Sequence, residues 1–240
     1  MISGRCLYIH LKTYFCKSVV VLYLVFYNSS IYEKGVPIFY NNSNKYWAHR
    51  VLDHQIANDL SVKYNGVELD VFFESDKSLF DVRHHGSFKG NSLIVYLSQI
   101  NNNDMYFWVD LKNLNSSNVS SVITRLDSIT KETISKQRII IESKDIKLLY
   151  ELKKSGYKIS YWLPSFNLFK SIFQVYEIRN DLENYSPDAI SCSYHNVRFY
   201  SKKFPNYSIH CWTNGLDFKN DISEIEKISK INNVRIILID

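Results

Sequence analysis

At 240 residues the chain has room for one barrel-sized domain and none for a second large core. Its 45% hydrophobic and 22% charged residues exclude a disordered chain. A net charge of +5 favours an anionic substrate or membrane surface, but the basic residues are scattered, and with no Lys/Arg run or aromatic-basic stripe a nucleic-acid partner is excluded. Cys6, Cys16, Cys192 and Cys211 show no zinc spacing; Cys192 and Cys211 close consecutive predicted strands and read as buried thiols.

Residues 1 to 43 form an apolar N-terminal extension. The run at 18 to 27, after Lys17, is too short for a bilayer span, which needs about 20 apolar residues. It fits the hydrophobic core of a signal peptide, about 7 to 15 residues, though no small-x-small cleavage site follows. Two readings stand side by side: a signal or anchor, through which the protein would associate with a membrane, and a segment covering the seam between the last and first strands, since no helix is predicted after the last strand.

Beyond residue 45, apolar runs alternate with amphipathic stretches, the pattern of repeated strand-helix units. Strands are predicted over 46–49, 66–72, 79–84, 105–110, 138–142, 157–162, 188–192, 207–212 and 234–239. Helices are predicted over 116–133, 144–155 and 219–231, with Asn115 or Ser116, Ser143 and Asp217 as caps. Glu68 and Asp70 stand two apart in an apolar run, so on a strand both carboxylates leave the same face and repel unless a cation lies between them. A hard divalent metal is the natural occupant. His49 supplies a proton carrier and Arg50 a planar fork of donors suited to phosphate. Asp110, Glu142 and Trp212 also fall at or near strand ends. Any one of these alone reads as a satisfied hydrogen-bonding group, but together they read as an active site.

The motifs Ala48-His49-Arg50, Gly66-Val67-Glu68-Leu69-Asp70-Val71, Phe80-Asp81-Val82-Arg83-His84-His85-Gly86, Trp108-Val109-Asp110-Leu111-Lys112-Asn113 and His210-Cys211-Trp212-Thr213-Asn214, with a last strand at Ile236 to Asp240, resemble the glycerophosphodiester phosphodiesterase family within the phospholipase C-like superfamily. The resemblance covers roughly 46 to 240. It implies an α/β TIM (β/α)8 barrel over 44 to 240, with 79–84 as an excursion running back toward the site so that eight barrel strands remain. It further implies one Mg2+ or Ca2+ held by Glu68, Asp70 and Asp110. Arg50 and Lys112 would grip the phosphoryl oxygens. His49 and a second histidine would act as general base and acid: alignment with Phe80 to Arg83 favours His84, and the His-Gly order favours His85.

The implied activity is metal-dependent hydrolysis of a small or lipid-derived phosphodiester. Three departures stand out: Asp110 replaces the family's glutamate, Val51 replaces a glycine, and His84-His85 replaces His-Asp. The first two favour an alternative, a catalytically inactive barrel binding a phosphorylated ligand or glycan. Glu142 is an extra carboxylate that binds substrate hydroxyls or pairs with Lys112. Tyr161, Trp162 and Trp212 wall the pocket or belong to the core, and Tyr194 and His195 begin the loop after the sixth barrel strand, facing the pocket.

Overall fold

Parallel strands covered on both faces must be apolar on both, and this dictates both the continuous runs of the sequence and the barrel they form. The computed structural model describes residues 44–165, 171–213 and 215–240; the N-terminal extension and its two readings lie outside these. The elements are β1 (Tyr46–Ala48), α1 (His54–Leu60), β2 (Gly66–Glu74), β3 (Leu79–Val82), α2 (Leu93–Ser98), β4 (Tyr106–Leu111), α3 (Val119–Glu132), β5 (Ile139–Ser143), α4 (Ile146–Lys154), β6 (Lys158–Trp162), α5 (Ser171–Tyr185), β7 (Ala189–Ser193), α6 (Tyr194–Lys203), β8 (Ser208–Trp212), α7 (Ile222–Ser229) and β9 (Val234–Ile239). The parallel order β1-β9-β8-β7-β6-β5-β4-β2 closes through a β1–β2 pairing, Ala48 opposite Val67, into an eight-stranded barrel. β3 lies outside this count. It pairs antiparallel to β2 from Val71–Val82 to Glu74–Leu79, which is the excursion the resemblance implies.

The strands divide their side chains by parity. Val67, Leu69, Val71, Phe107, Val109, Ile139, Ile141, Ile159 and Ile190 face the helices and make the larger core with residues such as Leu126, Leu149, Val197 and Ile225. Trp47, Trp108, Ile140, Ile236 and Leu238 fill the barrel interior. Gly66 is required there, because a Cβ on it would lie 2.6 Å from the Trp47 ring. Gly66→Ala is expected to lower stability by about 1–3 kcal/mol through overpacking, read by denaturant unfolding.

Cys192 and Cys211 are register partners on β7 and β8, both buried as free thiols. Asp145 caps α4, accepting from Lys147 N and Leu148 N, two residues beyond the predicted Ser143, which instead completes β5. Asn118 and Asp221 occupy the N-cap positions of α3 and α7. The predicted Asn115 and Asp217 make the preceding turns, Asp217 accepting from Lys219 N and Asn220 N. Tyr194 and His195 do not begin a loop. Ser193, the last residue of β7, also takes the N-cap position, and α6 starts at once, burying Val197 and Tyr200 at a helical spacing. Among the described residues no helix is long and apolar enough to cross a membrane.

Candidate active site

The C-terminal ends of the strands converge on a pocket of about 150 Å3 lined by His49, Arg50, Glu68, Asp70, Trp108, Asp110, Lys112, Glu142, Trp162, Trp212 and Leu238. This is small beside the roughly 300–1,000 Å3 of sites for drug-sized ligands.

Glu68 and Asp70 flank outward-facing Leu69, so both point into the barrel, and Asp110 lies in register beside Asp70 on β4. All three are buried, and one oxygen from each lies within 4.8 Å of the others. The Lys112 ammonium contacts both Asp70 and Asp110. Burial raises the Glu68 carboxyl well above its usual range, and the charges of Asp70 and Asp110 add to this. Burial also raises Asp110, against the pull of Lys112. Lys112 loses some proton affinity to burial, but Asp110 and Asp70 more than restore it, and it stays above its ordinary value. Three crowded, buried, hard oxygen donors with a cation already drawn among them fit a single divalent ion. Asp110 is one methylene shorter than the family's glutamate, yet it reaches this cluster.

β1 delivers the first histidine. His49 N donates to Ile239 O at 3.0 Å, and the chain then turns through Arg50, whose φ of 52° is left-handed and strained for a side chain with a Cβ. That turn aims the Arg50 amide at Glu68 Oε2, 2.9 Å away, and the Val51 amide at Glu68 O, also 2.9 Å. Val51, at the family's glycine position, buries its side chain in the helix-facing core and does not line the pocket. His49 Nδ1 lies 2.7 Å from Asp240 Oδ1 and its Nε2 3.8 Å from Glu68 Oε2. Burial lowers its pKa, and Asp240 opposes that shift. Asp240 also accepts from Gly215 N through Oδ2 at 2.5 Å.

β3 delivers the second histidine. His84 Nδ1 contacts the Asp70 carboxylate, whereas His85 is exposed and packs against His84 with the rings tilted at 46° and their centroids 3.5 Å apart. The structure therefore brings His84 to the cluster. Its loop is tied down by fully buried Asp81, which accepts from Lys89 N at 2.9 Å and Asn91 N at 2.8 Å and pairs with Arg83. Arg83 in turn pairs with Glu74 at 2.6 Å and covers the Phe72 ring at 4.3 Å.

The remaining predicted residues separate. Glu142 lies in register with Asp110 and lines the pocket, its carboxyl raised by burial and by Asp110. Lys112 makes its ion pairs with Asp70 and Asp110 and forms none with Glu142. Trp162 and Trp212 meet edge to face at the mouth, centroids 5.2 Å apart at 74°, with Lys144 Nζ 4.1 Å above Trp162. Tyr161 does not join them. Strand parity turns it outward, where its hydroxyl donates to Asp181 on α5 at 3.0 Å. Tyr194 and His195 do not line the pocket either.

Three contributors were not among the predicted site residues. Trp108 and Leu238 line the pocket from within the barrel, and Asp240 reaches His49 because β9 pairs with β1. The signal for Asp240 was a carboxylate at a strand end next to the first strand once the barrel closes.

Fold and site together define a (β/α)8 barrel with a carboxylate-lysine cluster and flanking histidines at its C-terminal face, a constellation that can hold a metal ion and a phosphoryl group. No protein-family model and no curated protein matches the chain, but solved structures share its fold. A glycerophosphodiester phosphodiesterase from Thermotoga maritima superposes with a TM-score of 0.57 at 19% identity, covering 82% of this chain and 95% of that one. A phosphodiesterase from Oleispira antarctica, in complex with its product sn-glycerol-3-phosphate, gives 0.61 at 13% identity over 81% and 92%. A glycerol uptake operon antiterminator-related protein from Thermotoga maritima gives 0.52 at 13% identity over 81% and 94%, so the barrel alone does not fix the function.

Proposed function

We propose that the chain is a metal-dependent phosphodiester hydrolase of the glycerophosphodiester phosphodiesterase type. The observation that carries this reading is the joint placement, at one end of one barrel, of Glu68, Asp70 and Asp110 with Lys112 among them and His49 and His84 on their flanks. The three carboxylates would hold one Mg2+ or Ca2+, which when bound supplies charge neutralisation to the phosphoryl oxygens. Arg50 and Lys112 would bind the remaining oxygens.

His49 is suited to the general base. Asp240 on Nδ1 fixes the tautomer that leaves Nε2 free to take a proton, and burial favours the neutral ring. His84, oriented through Asp70, is suited to protonate the leaving oxygen. The product held by the Oleispira antarctica phosphodiesterase supports a small phosphodiester as the substrate class.

The test is hydrolysis of bis(p-nitrophenyl) phosphate and glycerophosphocholine by the full chain. EDTA is expected to abolish turnover, and Mg2+ or Ca2+ to restore it. Folded, metal-loaded protein that turns over neither compound would overturn the hydrolase and point to a barrel that binds a phosphorylated ligand or glycan.

A further inference from the structure

Proton transfer on both sides of one phosphorus atom needs two side chains at a fixed separation, and a misplacement of about 1 Å costs on the order of 10²-fold. His49 and His84 sit on different loops. β1 and β3 each pair with β2, and the histidines stand one and two residues beyond the ends of those strands. Their spacing therefore rests on what holds the two loops to one another.

Asn91 does this. Its side-chain Nδ2 donates to Leu52 O at 2.8 Å, three residues after His49, and to Val82 O at 3.3 Å, two residues before His84. Its main chain is pinned as well. Asn91 O accepts from Val82 N at 2.8 Å, and Asn91 N donates to Asp81 Oδ1, also at 2.8 Å. Fully buried Asp81 takes Lys89 N on its other oxygen at 2.9 Å, and Gly90, between the two anchored amides, turns through a φ of 75°. The hydroxyl of buried Tyr96 on α2 donates to Val51 O at 2.9 Å, the carbonyl next to that of Leu52. Both carbonyls that follow the left-handed turn at Arg50 are thus gripped by the segment that follows His84.

We infer that Asn91 is a positioning residue that sets the separation of His49 and His84, a role that rests on the phosphodiesterase reading. The bridge demands two donors on one atom, which a side-chain amide has and a carboxylate or a hydroxyl lacks. Closing the β3–α2 loop on itself needs only the main-chain bonds to Val82 and Asp81, which any residue other than proline can make. The reach of the side chain to Leu52 serves the other loop. Asn91 does not line the pocket, and it lies outside the cluster of Glu68, Asp70 and Asp110. Its loss should therefore spare substrate and metal binding and fall on proton transfer.

The experiment follows two esters of sn-glycerol 3-phosphate, one with choline and one with p-nitrophenol, with the full chain in Mg2+. They share the glycerophosphoryl group and differ in the leaving oxygen. The choline oxygen must take a proton from the acid as its bond to phosphorus breaks, whereas p-nitrophenolate departs without one. Asn91→Ala is expected to lower kcat about 10²-fold for the choline ester and about tenfold for the nitrophenyl ester, where only the base is displaced. KM should stay within about threefold for both, and the Mg2+-induced rise in Tm should be retained. Asn91→Asp, of the same shape but without donors, should follow Asn91→Ala.

Equal falls for the two esters would overturn the positioning role, because a loss of folded protein lowers both rates by one factor. So would rates within about threefold of the wild type for both. Turnover of the nitrophenyl ester alone by the wild type would show that no acid operates and overturn it too. Should Asn91→Ala fail to fold, Asn91→Ser, which keeps a single donor, decides by the same ratio. A wild type that turns over neither ester defeats the hydrolase and the positioning role with it; turnover of both with an unchanged ratio in the variants defeats the positioning role alone.

Discussion

Glu68→Gln is expected to lower phosphodiester turnover by about 10³-fold while making the metal-free protein more stable at neutral pH. The opposite signs follow from one carboxyl. In the folded chain burial raises the Glu68 pKa well above its usual value, and Asp70 and Asp110 add to the shift. The folded state therefore keeps a proton that the unfolded state releases, and without metal, stability falls as pH rises from about 4.5, the unfolded value, through the folded one. Glutamine removes that charge. It leaves the Lys112 pairs with Asp70 and Asp110 untouched, and its side-chain oxygen can still accept from Arg50 N, as Glu68 Oε2 does at 2.9 Å. A gain on the order of 1–2 kcal/mol is expected in EDTA.

With Mg2+ or Ca2+ added, the order changes. A ligand that binds only the native state stabilises it, so the wild type should melt higher with metal, and Glu68→Gln should lose most of that rise. Thermal unfolding of both proteins with EDTA and with metal, run beside the turnover assay, checks all three statements. A variant that keeps both its turnover and its metal-induced rise would remove Glu68 from the proposed ligand set.

What the sequence disclosed, it disclosed through burial on both faces. Runs such as Ile139-Ile140-Ile141 have no exposed face to interrupt them, so every strand was legible to within about two residues. α1 and α2, at 7 and 6 residues, are too short to display a helical period, and α6 hid behind the absence of any loop. The site was legible where chemistry sits in local motifs and illegible where it depends on pairing. Whether Tyr161 or Trp162 faces the pocket is fixed by the register of Glu142 with Ser160, a tertiary fact, and a one-residue change of parity exchanges the two. His84 and His85 are neighbours in a loop, and only the position of Asp70 separates them. Asp240 meets His49 across 191 residues of sequence because the barrel closes.

His210 should make the fold acid-sensitive in a way that a single substitution isolates. It lies inside the barrel, fully buried, with its Nδ1 on Ser160 and its ring 5.2 Å from that of Trp108, and burial lowers its pKa to about 3. A histidine whose folded pKa lies below its unfolded value of about 6.5 leaves the folded state short of a proton between the two. Stability is therefore lost as pH falls through that window, and at pH 4 the loss is roughly 3 kcal/mol relative to neutral pH. The wild-type curve alone would obscure this, because Glu68 and Glu142, with raised pKa values, recover stability over part of the same descent. The difference between wild type and His210→Gln cancels those shared contributions. Denaturant unfolding at pH 7 and pH 4 is expected to show the variant losing roughly 3 kcal/mol less than the wild type. Equal losses would mean that His210 takes up its proton without unfolding the barrel, and that water reaches beneath Trp108 in the native state.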